Sequence, residues 1–328
     1  MLGLIGLMGA LFASVVADAM MSASDHDEYS DPDSEPENDE IPQQNSASST
    51  SLLDDETPDA GATNLEGGDG RDGISGTEDN DHMSGHGDFD QLDGLGGDDT
   101  ILGGSGTDVL RGDGGLDRLH GGRDDDSLIG GAGDDSLFGG ASNDQISGQE
   151  EDDWMRGGAG DDQLEGGLGD DWADGGLGDD WAAGGSGQDA LAGGAGSDTV
   201  DGGAGNDTLG GGGPNGGDDG TVDFLNGGEG NDHLQLGAGD YGNGGAGEDV
   251  FVLHDSALDT PPAVITDYVA GEDGLILVYD ATLHPTPNVA LSNNHDTGDA
   301  ILMLDGVPVA TIQGGAGMDI SDITLRAA

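Results

Sequence analysis

A nine-residue period constrains this chain more than any other feature: it holds for sixteen consecutive blocks, from Gly67 to Gly210, without insertion or deletion. Position one is glycine in every block. Position six is always aspartate: Asp72, Asp81, Asp90, Asp99, Asp108, Asp117, Asp126, Asp135, Asp144, Asp153, Asp162, Asp171, Asp180, Asp189, Asp198 and Asp207. Position eight is always apolar, from Ile74 and Met83 to Val200 and Leu209. One apolar residue in nine is too sparse for a helical stripe. Three residues such as Ser136–Phe138 favour a strand, and the six of a segment such as GGAGDD favour a turn, because glycine reaches positive φ without steric cost. Two blocks then close one flattened circuit of 18 residues, and equivalent residues stack at about the 4.8 Å spacing of neighbouring strands. The fold class that follows is all-β, a parallel β-roll.

In such a roll, position-six carboxylates such as Asp117 and Asp135 lie one above the other, where they can share a cation with turn carbonyls. Calcium suits oxygen ligands in flexible geometry, whereas magnesium demands a tight octahedron and zinc prefers nitrogen or sulfur. Two carboxylates about 5 Å apart repel by roughly 3 kcal/mol at an effective dielectric near 20. Summed over the array, that repulsion predicts an unfolded chain in the absence of metal.

Composition supports a cation partner and excludes others. The formal charge is -63, with 69 acidic residues against six arginines and no lysine, so the chain's own field attracts neither nucleic acid nor anionic lipid. Cysteine is absent, which removes disulfides and thiolate metal sites. Without lysine there is no GxxxxGK phosphate loop and no Schiff base, and neither HExxH nor GxSxG occurs.

The blocks match GGxGxDxUx, and GGAGDDSLF and GGAGNDTLG fit it at every defined position. This resembles the nonapeptide of repeats-in-toxin (RTX), haemolysin-type calcium-binding proteins. The resemblance implies calcium ions between successive turns, held by position-six aspartates and turn carbonyls. After a loss of phase at GGGGPNGGDDGTVDF, blocks beginning at Gly227 and Gly244 add Asp232 and Asp249 to the expected ligands. Five blocks lack glycine at position four (Asp79, Asp88, Asp124, Ser142, Glu151) and five at position two (Thr77, His86, Leu95, Asp113, Gln149), so the strongest sites are expected between Gly157 and Asp207.

The expected organisation is an apolar signal-like or anchor segment over 1–21, a disordered acidic linker over 22–66, the calcium-binding roll over 67–252 and a C-terminal β cap over 253–328. Within the cap, AILMLDGVPVATI predicts a hairpin turning at Asp305-Gly306. VITDYVAGEDGLIL resembles a segment that follows the repeats in secreted bacterial proteins of this family. The resemblance further implies type I export, for which MDISDITLRAA could serve as the signal, with secretion machinery as a partner. A membrane enters only through residues 1–17, if they are uncleaved.

Repetition of the acids argues against catalysis, since catalytic carboxylates are individual groups in contrasting environments. Position six is read as the ligand, and position five as a charged turn residue adding field and solubility. His82 and His86 are four apart but read as exposed rather than as a zinc pair. Trp154, Trp172 and Trp181 at position seven point outward, the first two stacked on one face and the third on the other. They either shield strands whose inward residues, Ala173 and Ala182, are small, or serve a cell-surface or glycan partner. The reading is a non-enzymatic, extracellular calcium-binding roll; the alternatives are a cell-surface adhesin or surface-layer protein on the same scaffold and, less favoured, an accessory module of an enzyme.

Overall fold

The computed structural model describes residues 63–212, 219–254, 260–294 and 296–328. The signal-like segment 1–21 and most of the acidic linker lie outside the described residues.

Successive strands alternate between two facing sheets of 13 and 14 strands, and in the repeats every neighbour within a sheet is parallel and one circuit away. Trp154 pairs with Ser136 on one side and Trp172 on the other; Gln163 pairs in the same way with Gln145 and Trp181. The chain therefore forms a parallel β-roll.

The strands are longer than the sequence suggests. Ser136–Ala141 and Trp172–Leu177 are typical: each covers positions seven to nine of one block and one to three of the next. Only positions four to six turn. Backbone pairing with identical neighbours overrides the weak strand propensity of glycine, as at Gly158, paired to both Gly140 and Gly176.

Side chains alternate along each strand, so positions eight and one both face inward. Position eight builds the core: Leu119, Leu128, Leu137, Met155 and Leu164 are fully buried. Position one must be glycine, because the aspartate five residues later folds back beneath it. A Cβ on Gly121 would lie 2.5 Å from Asp126 Oδ2 and 2.8 Å from the Gly139 carbonyl oxygen.

The loss of phase after Gly212 does not end the roll. Phe224–Glu229 pairs with Thr199–Ala204, so this circuit is longer, 25 residues from Asp198 to Asp223. The next is one residue short, and its core is repaired locally. Leu236, 1 % exposed, replaces the missing inward glycine and fills the space left by Gly242, whose Cβ would lie 2.7 Å from Leu236 Cδ1.

Both sheets then run on through the C-terminal segment. Ala263–Ile265 and Val307–Ile312 extend one sheet, and Gly274–Tyr279 and Ile323–Ala327 the other, all in parallel. One apolar core connects Met83 to Ile312 and Met318. The antiparallel hairpin Asp299–Leu304/Val307–Ile312, with Val289–Asn294 beside it, closes the roll as a cap. Its turn residues Asp305 and Gly306 both have positive φ, 50° and 86°, as a type I′ turn requires. MDISDITLRAA forms a short 3-10 turn capped by Asp319 and the edge strand Ile323–Ala327.

Candidate metal centre

Each position-six aspartate immediately precedes a strand, and its backbone carbonyl accepts the N–H of the residue that starts the strand one circuit on, as from Trp172 to Asp153 at 2.9 Å. The side chain reaches the other way: Asp171 Oδ1 accepts the N–H of Asp153, one circuit earlier, at 2.9 Å. Repetition of this bond makes two rows, one along each long edge. The first runs Asp81, Asp99, Asp117, Asp135, Asp153, Asp171, Asp189, Asp207, Asp232, Asp249 at 2.7 to 2.9 Å. The second runs Asp72, Asp90, Asp108, Asp126, Asp144, Asp162, Asp180, Asp198 at 2.7 to 2.8 Å. All eighteen aspartates singled out by the sequence thus lie in these rows.

Three further aspartates belong to them. Asp223 and Asp240 continue the second row, and Asp273 accepts the Asp249 N–H at 3.1 Å to end the first. Asp223 was hidden by the insertion before it, and Asp240 by Gly242 standing where position eight should be apolar. The usable signal was an aspartate directly before an aromatic residue that opens a strand: Asp223-Phe224 and Asp240-Tyr241.

The second carboxylate oxygen is the chemically telling one. In fifteen of these aspartates, from Asp90 through Asp207 without a break and again at Asp232, Oδ2 is buried and accepts no hydrogen bond. A buried carboxylate oxygen without a partner is expensive, and so many in register require a common cause. Each of those in the repeats stands against a position-one glycine, and carbonyl oxygens are at hand. The Gly139 carbonyl flanks the space beside Asp126 Oδ2, as the Gly184 carbonyl does beside Asp171 Oδ2. Burial pushes the carboxyls up, to about 8 for Asp126 and Asp153, about 7 for Asp180 and about 6 for Asp171, helped by neighbouring carboxylates and opposed by the backbone hydrogen bond. Asp81, at the N-terminal end, shifts the other way: there hydrogen bonds from Thr63 and Thr77 outweigh burial and hold it low.

A hard divalent cation fits a donor set made only of carboxylate and carbonyl oxygens. Among the described residues no three acidic or histidine side chains converge on one point. A cation between circuits would draw on one carboxylate oxygen from each turn and on backbone carbonyls. His82 and His86 form no metal cluster; His86 Nε2 instead meets Glu66 Oε2 at 2.7 Å.

Turns that lack glycine keep the glycine conformation except at Thr77 and Asp79, which have no positive φ. His86, Leu95, Asp113 and Gln149 at position two, and Asp88, Asp124, Ser142 and Glu151 at position four, all have φ between 67° and 92°. Each holds a left-handed backbone at a cost of roughly 1–2 kcal/mol.

Position five has a structural role the sequence reading missed. Asp161 Oδ1 accepts the N–H of Asp179 at 3.0 Å, Asp179 that of Ser197 at 2.8 Å, and Asn143 that of Asp161 at 3.0 Å. These side chains form ladders of their own on the exposed side of the turns, in which asparagine serves as well as aspartate because only an acceptor is needed.

On the outer faces, Trp154 and Trp172 stack at 4.6 Å with planes 5° apart, on the sheet opposite to Trp181. Among the described residues no helix is long and apolar enough to cross a membrane.

The chain matches the model of the RTX calcium-binding nonapeptide repeat in eight stretches that together span residues 58–213 and 219–251. No curated protein matches it. With more than half of its length in this repeat and the repeats wound into a parallel roll, the chain belongs to the RTX family of calcium-binding nonapeptide repeat proteins.

Proposed function

We propose that this is an exported calcium-binding protein, without catalytic activity of its own, whose roll forms when several calcium ions enter the two aspartate rows outside the cell. The observation that carries the reading is the unbroken series of buried, unpartnered Oδ2 atoms. Their alignment supplies one carboxylate oxygen per block beside the position-one carbonyl of the next circuit. Asp72, Asp81 and Asp90 through Asp249 are the proposed ligands, joined by Asp223 and Asp240. Low cytosolic calcium would keep the chain unfolded for export, and the extracellular concentration would fold it.

Circular dichroism of the full chain with calcium, after chelation with EGTA, and after calcium is restored tests this reading. The β signal is expected with calcium, lost with EGTA and regained on return. A β signal indifferent to chelation overturns it. A second reading, a cell-surface adhesin on the same scaffold, draws on the exposed aromatic rings of the sheet that carries Trp181.

A further inference from the structure

We infer that the outer face of the 14-stranded sheet binds a neutral polysaccharide, with one sugar ring seated against Trp181. The site is a cleft of about 210 Å³ crossing three neighbouring strands, Ser127–Ala132, Gln145–Glu150 and Gln163–Leu168, and Trp181 of the fourth closes one end. Its walls carry Ser127, Gln145, Ser147, Gln163 and Glu165. Hydroxyls, two carboxamides and one carboxylate beside an indole present donors and acceptors next to an apolar ring face. A pyranose has the matching surface, with hydroxyls around its rim and a C–H face that packs on an aromatic ring.

The face continues beyond the cleft. Phe224 and Tyr241 occupy the same position seven farther along the sheet, stacked at 5.1 Å, and Trp181, Phe224 and Tyr241 are 40 %, 51 % and 40 % exposed. Three large exposed rings in one line are unusual on a surface with no partner. Asp201 and Asn226, hydrogen-bonded to each other at 2.8 Å, lie beside that line. From Ser127 to Tyr241 the face spans seven strands of this sheet. At about 4.8 Å per strand that is roughly 29 Å, long enough for several sugar rings in a row.

Charge selects the class of occupant. The seven strands of this face contain no Lys, Arg or His, and the whole chain is strongly acidic, so nucleic acid, anionic lipid and acidic polysaccharide are repelled. The Trp154–Trp172 pair on the other sheet is less accessible: both indoles are half-buried, and Trp154 also packs against Phe138 at 4.8 Å. The inference rests on the calcium-folded roll, since the cleft exists only where the strands stack.

The test uses the calcium-loaded full chain, co-sedimented with insoluble cellulose, chitin and β-1,3-glucan and run in affinity gels with xylan, alginate and polygalacturonate. Dichroism is recorded on each sample. Retention on at least one neutral polymer is expected, weakened about tenfold by Trp181→Ala and less by Gln163→Ala, and unchanged by Trp154→Ala, with the β signal intact throughout. No retention of a protein that shows the β signal on any neutral polymer overturns the inference. So does retention only on alginate and polygalacturonate, or an equal loss with Trp154→Ala. Absence of the calcium-dependent β signal overturns instead the calcium-roll reading beneath it.

Discussion

Asp170 and Asp171 are adjacent in the chain and reach in opposite directions along the roll. Asp170 Oδ1 accepts the N–H of Gln188, one circuit later, at 2.7 Å, and Asp171 Oδ1 accepts that of Asp153, one circuit earlier, at 2.9 Å. The paired acids are thus two different devices, an exposed stitch and a buried, half-satisfied carboxylate.

That division predicts unequal mutations. Asp170→Asn keeps the acceptor and leaves calcium-dependent folding within about 0.5 kcal/mol of the parent. Asp170→Ala costs about 1 kcal/mol by losing one hydrogen bond. Asp171→Ala removes both a ladder bond and a proposed ligand, and is expected to raise the calcium midpoint of the dichroism transition several-fold more than Asp170→Ala. Equal midpoints for the two alanine variants contradict the assignment.

The raised carboxyls make the metal-free chain respond to acid. Their folded values, about 6 to 8, lie above the ordinary 3.8 of an aspartate, so the folded state binds protons more tightly than the unfolded one. The cost of ionising them is absent below about pH 4 and grows as pH rises towards the folded values. Calcium-stripped protein should therefore gain β signal on going from pH 8 to pH 5, and calcium uptake near pH 7 should release protons. More roll at pH 8 than at pH 5 in the absence of metal contradicts this.

Two glycine positions are expected to respond in opposite senses. Gly166→Ala drives a methyl onto Asp171 Oδ2 and to 2.6 Å from the Gly184 carbonyl, a collision with backbone that the stacked circuits cannot relieve. It should destabilise the calcium-loaded roll by about 3 kcal/mol. Gln149→Gly removes a left-handed side-chain residue, φ 92°, and should stabilise it by about 1 kcal/mol. Denaturant titration at fixed calcium measures both.

The exchange between Leu236 and Gly242 gives a double-mutant test. Leu236→Ala opens a cavity at a cost of about 2–5 kcal/mol. Gly242→Leu alone overfills the same space. Combined with Leu236→Ala it should recover part of the loss, since the two positions compete for one volume. Strict additivity of the two changes contradicts that packing.

Much of this was legible because a strict period turns local chemistry into long-range geometry. Once position six recurs every nine residues, the eighteen-residue stack follows, and with it the edge on which Asp117 lies above Asp99. Strand length was not legible, since glycine in isolation favours turns and only pairing with an identical neighbour extends it. The direction of each carboxylate was not legible either: Asp170 and Asp171 have the same chemistry and differ only in the backbone that presents them. Asp223 and Asp240 escaped because an insertion and a deletion shifted the spacing while the stacking absorbed both.

The reciprocal stitches of positions five and six join each circuit only to its immediate neighbours, so load applied along the chain has nowhere else to go. Pulled from its two ends, the protein would behave as a spool, paying out one 18-residue loop at a time. Each loop would lengthen the tether by roughly 60 Å before the next yields.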